Sequence, residues 1–140
     1  MDQGLKFNLN ARVAIVDDQS SIGKELIMIL QKIGFTNIKF FLDGKTAWDN
    51  FRLEAQYGDP FEVVFLDINM PGMSGIELLK NLRNTQTYKS IPIFMVTTES
   101  EKSTVIICIS LGATDYIVKP YKMETVIEKI KAKLETTGSI

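Results

Sequence analysis

Four short apolar runs punctuate the chain, and none of them alternates with polar residues. Val13-Ala14-Ile15-Val16, Val63-Val64-Phe65-Leu66, Ile91 to Val96 and Tyr116-Ile117-Val118 are continuous and mostly β-branched or aromatic. A strand that is apolar at successive positions has both faces covered, which is the condition of a strand in a parallel sheet flanked by helices. Ile38, Phe40 and Leu42 do alternate, as expected of a strand at a sheet edge.

Helical spacing fills the intervals between these runs. From Ser21, the residues Ile22, Leu26, Ile29, Leu30 and Ile33 recur on one face, and Gly34 supplies a stop. A second helix is expected from Gly44 to about Tyr57, carrying Trp48. Ser74 with Glu77 reads as a capping box that opens a third through Ile76, Leu79 and Leu82. Lys102 to Leu111 forms a fourth, and Met123, Val126, Ile127, Ile130 and Leu134 mark a fifth. Five strands alternating with five helices over short connections, with right-handed crossovers, predict an open doubly wound α/β sandwich. The 140 residues suffice for one such domain, expected over 11–135 between a loose N-terminal extension (1–10) and a C-terminal tail (136–140).

Composition excludes several functions. Sixteen Lys and Arg against 17 Asp and Glu leave a net charge of -1, so nothing favours nucleic acid or an anionic membrane as partner. No apolar stretch approaches the roughly 18 residues that span a bilayer. The start of the chain lacks the basic head and apolar core of a signal peptide, so a cytoplasmic location is expected. With no histidine in the chain, neither a Ser-His-Asp triad nor a two-histidine zinc site can be built from it. Cys108, the only cysteine, lies in the run Val105 to Ile109 and is expected to pack in the core.

In this fold class, ligands bind outside the carboxyl ends of the strands, near the point where strand order reverses. The residues there are Asp17-Asp18, Asp67, Thr97-Thr98 and Lys119-Pro120. Neighbouring carboxylates repel and raise one another's pKa unless a cation neutralises them. A hard divalent ion such as Mg²⁺ suits oxygen ligands, and it binds one or two carboxylates together with a phosphate oxygen. Lys119 and the Thr97 hydroxyl are placed to hold further phosphoryl oxygens, and a carboxylate can itself become an aspartyl phosphate.

Val16-Asp17-Asp18, the run Phe65 to Gly75 containing Asp67-Ile68-Asn69-Met70-Pro71-Gly72, Met95-Val96-Thr97, and Lys119-Pro120 after Gly112-Ala113 occur in that order. In this combination the sequence resembles the receiver domain of bacterial two-component response regulators. The resemblance implies a flavodoxin-like five-stranded sheet of order 2-1-3-4-5. It makes Asp67 the phosphoacceptor, with Asp18 binding Mg²⁺ directly, Asp17 largely through water, and the backbone carbonyl of Asn69 completing the protein ligands. Lys119 would pair with the phosphoryl group, and the peptide bond before Pro120 would be cis. Phosphorylation would draw in the Thr97 hydroxyl, leaving space into which Tyr116 rotates.

Asn69-Met70-Pro71, the Thr97 and Glu99 pair, and Tyr116 with Val118-Lys119-Pro120 resemble the stand-alone, chemotaxis type of receiver. In that type Asn69 and Glu99 would tune self-dephosphorylation, and Lys102 and Lys129 would lie on the output face. The implied partners are a sensor histidine kinase as phosphodonor and an output protein on the face formed by the fourth helix, fifth strand and fifth helix, the flagellar motor switch among the candidates. Ile68 departs from the aromatic residue that type carries, and Thr98 from a smaller one. Beyond its own self-catalysed phosphoryl chemistry, no enzyme activity is expected. The alternatives are a phosphorelay intermediate outside chemotaxis and a Mg²⁺-dependent phosphohydrolase acting through an aspartyl phosphate. The latter would need an acid where Asn69 stands. A flavin or nucleotide site lacks its glycine-rich loop, since Asp17-Asp18-Gln19-Ser20 occupies that place.

Overall fold

Three of the four continuous apolar runs become inner strands with helices on both faces, whereas Tyr116-Ile117-Val118 becomes an edge strand that leaves Val118 exposed, because no further strand covers it. The computed structural model describes residues 7–137, so residues 1–6 of the expected extension and 138–140 of the expected tail lie outside the described residues. In chain order the elements are β1 Val13–Val16, α1 Ser20–Ile33, β2 Ile38–Phe41, α2 Gly44–Gln56, β3 Val63–Leu66, α3 Gly75–Arg83, β4 Ile93–Thr97, α4 Lys102–Ser110, β5 Asp115–Val118 and α5 Met123–Thr137. All strand pairs are parallel, in the order β2-β1-β3-β4-β5. This is the expected doubly wound, flavodoxin-like sheet.

Because successive side chains on a strand point to opposite faces, each inner strand feeds two cores. Ala14, Val16, Val64 and Leu66 pack with Ala47 and Phe51 of α2, Leu78, Leu79 and Leu82 of α3, and Cys108 of α4. Val13, Ile15, Phe65, Phe94 and Val96 face the other way, onto Leu26 and Leu30 of α1 and Val126, Ile130 and Leu134 of α5. Every position of β1, β3 and β4 is buried, which explains why their sequences show no alternation.

Several local expectations are corrected. At the edge strand β2 the buried residue is Phe41, whereas Leu42 is 54% exposed, because the strand ends at Phe41 and the chain turns outward into the α2 cap. β4 begins at Ile93 rather than Ile91, after Pro92, whose carbonyl accepts the Val64 N–H. Met123 stays outside the core at the start of α5. The end of the extension is not loose: Phe7 is buried and meets the Phe35 ring edge-on at 6.2 Å. A 3₁₀ turn at Gln86–Tyr88 was not anticipated; it buries Tyr88, whose hydroxyl donates to the Phe51 carbonyl.

The caps are partly as read. Ser74 accepts the Glu77 N–H at 3.2 Å, and Gly34, at φ 125°, closes α1 with its N–H on the Leu30 and Gln31 carbonyls. The strongest cap is at α2, where Asp43 accepts the Thr46 N–H at 2.7 Å and its hydroxyl at 2.9 Å. These bonds hold the Asp43 carboxyl below the ordinary aspartate value, so its stabilisation is in place above that value and is lost as pH falls through the lowered one. Asp43→Ala should cost about 1 kcal/mol at neutral pH in a denaturant titration. The gap to wild type should narrow below the ordinary value of 3.8.

Candidate functional site

β1 and β3 are neighbours at the centre of the sheet, with β2 on one side and β4 on the other, so the crossover direction reverses between them. The loops leaving their carboxyl ends diverge and open a crevice. Val16 and Leu66 are paired in register, which sets the residues that follow, Asp17 and Asp67, side by side. The Asp67 N–H donates to the Val16 carbonyl at 2.9 Å and continues the ladder into the site.

Asp17, Asp18 and Asp67 each offer a carboxylate oxygen, and these oxygens all lie within 4.8 Å of one another. Asp17 and Asp67 are buried while Asp18 is exposed at the mouth. The counter-charge comes from Lys119 at the end of β5, itself 6% exposed. Its ammonium stands 2.8 Å from Asp17 Oδ2, 3.4 Å from Asp67 Oδ2 and 3.5 Å from Gln19 Oε1. The Lys119 N–H donates to the Thr97 carbonyl at 2.8 Å, and the Lys119–Pro120 peptide bond is cis.

Backbone donors fix the carboxylates. The Ile68 N–H donates to Asp67 Oδ1 at 2.7 Å, and the Gln19 N–H to Asp17 Oδ1 at 2.9 Å. Burial pushes the Asp17 carboxyl above its ordinary value and the Asp67 charge adds to this; the Lys119 ammonium and the Gln19 N–H offset only part of it. Three carboxylates against one ammonium leave the pocket short of positive charge. An all-oxygen donor set of this kind fits a hard divalent ion, with Asp17, Asp18 and Asp67 as its candidate holders.

The remaining expected residues form a chain leading away from the pocket. Thr97, fully buried at the end of β4, accepts the Glu99 N–H at 3.3 Å. The Glu99 carbonyl accepts the Tyr116 hydroxyl at 2.7 Å, and the Glu99 carboxylate accepts the Asn69 side-chain amide at 3.1 Å. Tyr116 is therefore an inward residue, 5% exposed, and burial pushes its phenol up to about 12. The Lys129 ammonium donates to the Tyr116 carbonyl at 2.8 Å. Lys102 lies apart from this chain, as the exposed first residue of α4. Trp48 sits on α2 beneath the Arg52 guanidinium, 5.3 Å from its ring centroid, and Ile68 is buried.

Two residues take part that sequence reasoning did not single out. Gln19 carried no signal beyond following two aspartates. Gly75 opens α3 against the site itself: a Cβ there would lie 1.9 Å from the Asp67 carbonyl oxygen, so only glycine lets the helix begin so close beneath that backbone.

Fold and pocket together define a flavodoxin-like domain built around a buried aspartate at the switch point of its sheet. The chain belongs to the family described as response regulator receiver domain, whose pattern matches residues 13–131. Among its relatives, chemotaxis protein CheY-3 of Vibrio cholerae is 38% identical over 123 residues, covering 88% of this chain and 91% of that protein. Chemotaxis protein CheY of Pseudomonas aeruginosa is 35% identical over 124 residues, covering 89% and 96%. Of solved structures, Vibrio cholerae CheY4 aligns with a TM-score of 0.76 at 32% identity, over 88% of this chain and 98% of that one. The CheY of a CheX–CheY–BeF₃–Mg²⁺ complex from Borrelia burgdorferi aligns at 0.77 and 30% identity, over 87% of each chain. Receivers of this family are signalling domains that use Mg²⁺ at an acidic pocket.

Ionising the buried Asp17 opposes folding as pH rises through its raised pKa, so a cation that neutralises the pocket should help most at neutral pH. Millimolar Mg²⁺ should accordingly raise the melting temperature at pH 7, and the rise should fade toward pH 4 as Asp17 protonates. Thermal scans in Mg²⁺ and in EDTA at the two pH values check this.

Proposed function

We propose that this protein is a chemotaxis-type receiver, over residues 11–135, in which Asp67 accepts a phosphoryl group from a sensor histidine kinase and thereby changes partner binding. The observation that carries the reading is the placement of Asp67: buried, fixed by the Ile68 N–H, and facing an ammonium 3.4 Å away with two further carboxylates beside it. One Asp67 oxygen attacks phosphorus, a P–O bond forms, and the P–N bond of the donor breaks as the imidazole nitrogen leaves with its electron pair. Mg²⁺, held by Asp17, Asp18, Asp67 and the Asn69 carbonyl, would neutralise charge on the phosphoryl oxygens. Lys119, 3.4 Å from Asp67 Oδ2, supplies a second cation, and its charge would pair with the phosphoryl group once formed.

Asn69 and Glu99, bonded to each other across the mouth, are placed to orient the water that later hydrolyses the acyl phosphate. The output runs through Thr97 and Tyr116. The Thr97 hydroxyl, drawn to the phosphoryl group, would exchange its bond to the Glu99 N–H, and the same loop residue holds the Tyr116 hydroxyl. In this reading phosphorylation stabilises the inward Tyr116 by its differential contacts in two states. The recognised face would then comprise α4, β5 and α5, with Lys102 and Lys129 as its basic residues and a motor-switch protein as a candidate partner. A cytoplasmic location agrees with the finding that, among the described residues, no helix is long and apolar enough to cross a membrane.

Incubation with Mg²⁺ and a small acyl phosphate should add one phosphoryl group to the intact mass, removable by hydroxylamine and absent in Asp67→Asn. An unmodified mass within the first seconds of reaction, or equal modification of Asp67→Asn, would contradict the assignment.

A further inference from the structure

The Lys119 ammonium is not centred between its acceptors. It is bound tightly to Asp17 Oδ2, at 2.8 Å, and only loosely to Asp67 Oδ2 and Gln19 Oε1, at 3.4 and 3.5 Å. Asp17 is also one of the three carboxylates whose oxygens converge within 4.8 Å. A divalent ion drawing on Asp17 would set two positive charges beside an ammonium that is itself nearly buried, where repulsion is poorly screened. The two cations therefore compete for one carboxylate, and the ammonium needs a second place to stand.

We propose that Gln19 is a positioning residue that provides this place. Its side-chain carbonyl, together with Asp67, receives the Lys119 ammonium when a divalent ion takes up Asp17. Three features suit it to that task. Its backbone is pinned to the pocket, since its N–H donates to Asp17 Oδ1 at 2.9 Å. Its side chain is free of another duty, because Gln19 is the N-cap residue of α1 yet makes no side-chain capping bond. Its acceptor is neutral, so it can hold an ammonium without adding a fourth carboxylate that would bind the ion itself. Gln19 thereby sets how tightly the pocket takes a divalent ion, and it does so through Lys119 rather than by touching the ion.

This inference rests on the metal reading above, and calorimetric titration of the full chain with Mg²⁺ separates the two. Gln19→Met keeps the length of the side chain and removes the carbonyl; it should weaken Mg²⁺ binding by about two- to tenfold, the worth of one hydrogen bond, while the melting temperature in EDTA stays unchanged. Lys119→Met should bind Mg²⁺ roughly tenfold more tightly, because the competing charge is gone. In the Lys119→Met background, Gln19→Met should have no further effect. Unchanged affinity in the Gln19→Met single variant overturns the proposal, as does an equal loss in both backgrounds, which would make Gln19 a direct ligand. Gln19 is exposed, so its single variant should fold, and unchanged affinity there overturns the proposal even if Lys119→Met does not fold. A wild type that takes up no Mg²⁺ at millimolar concentration sinks the metal reading itself.

Discussion

One ammonium holds together a cluster of carboxylates that would otherwise push the centre of the sheet apart. Asp17 and Asp67 are buried side by side because β1 and β3 pair in register, and removing either charge from water costs several kcal/mol. Lys119 reaches them from β5, two strands away from β3, and is the only cation bonded to them among the described residues. The remaining imbalance is a stored electrostatic tension. In the proposed reading a divalent cation would relieve it, and Lys119 would match the charge of a phosphoryl group on Asp67.

In the proposed reading, an event at Asp67 would reach the surface through hydrogen bonds that meet at Glu99. Glu99 is the junction: its N–H is on the Thr97 hydroxyl, its carbonyl on the Tyr116 hydroxyl and its carboxylate on Asn69. A shift of the Thr97 hydroxyl toward the pocket must therefore be felt by the loop that leads into α4. That helix is loosely seated, with Cys108 as its one fully buried residue, while Ile106, Ile107 and Ile109 are exposed. Its far end is held by Arg83, whose guanidinium makes two bonds to the Gly112 carbonyl and a third to Tyr88. The chain just past the carboxyl end of α4 is thus tied down, while few of the helix's own side chains are buried.

What could be read in advance followed from local chemistry. The buried strands were legible because all their residues but Thr97, the last of β4, are apolar, and the aspartates, Thr97 and Lys119 because strand ends in this fold share one rim. Cys108 was legible in the same way, from its apolar neighbours. Leu42 was misplaced because alternation extends past the point where β2 stops, and Met123 because helical spacing does not reveal that the first residue of α5 lies at the surface. Phe7 and Tyr88 find their partners in Phe35 and Phe51, which no pattern within a few residues reveals. Gln19 and Gly75 were invisible for a further reason: one acts through a lysine a hundred positions away, the other through the absence of a side chain.

The acidic pocket at Asp67 is proposed to recognise a tetrahedral phosphoryl group and to transmit its arrival through Glu99. Amide nitrogen–proton spectra of the full chain with Mg²⁺, recorded before and after adding beryllofluoride as a phosphoryl mimic, test it most directly. The account predicts shifts at Asp67, Thr97, Glu99, Tyr116 and Lys119 and along the first turn of α4, all abolished by Asp67→Asn. Wild-type spectra that do not change, or changes that survive Asp67→Asn, would contradict it.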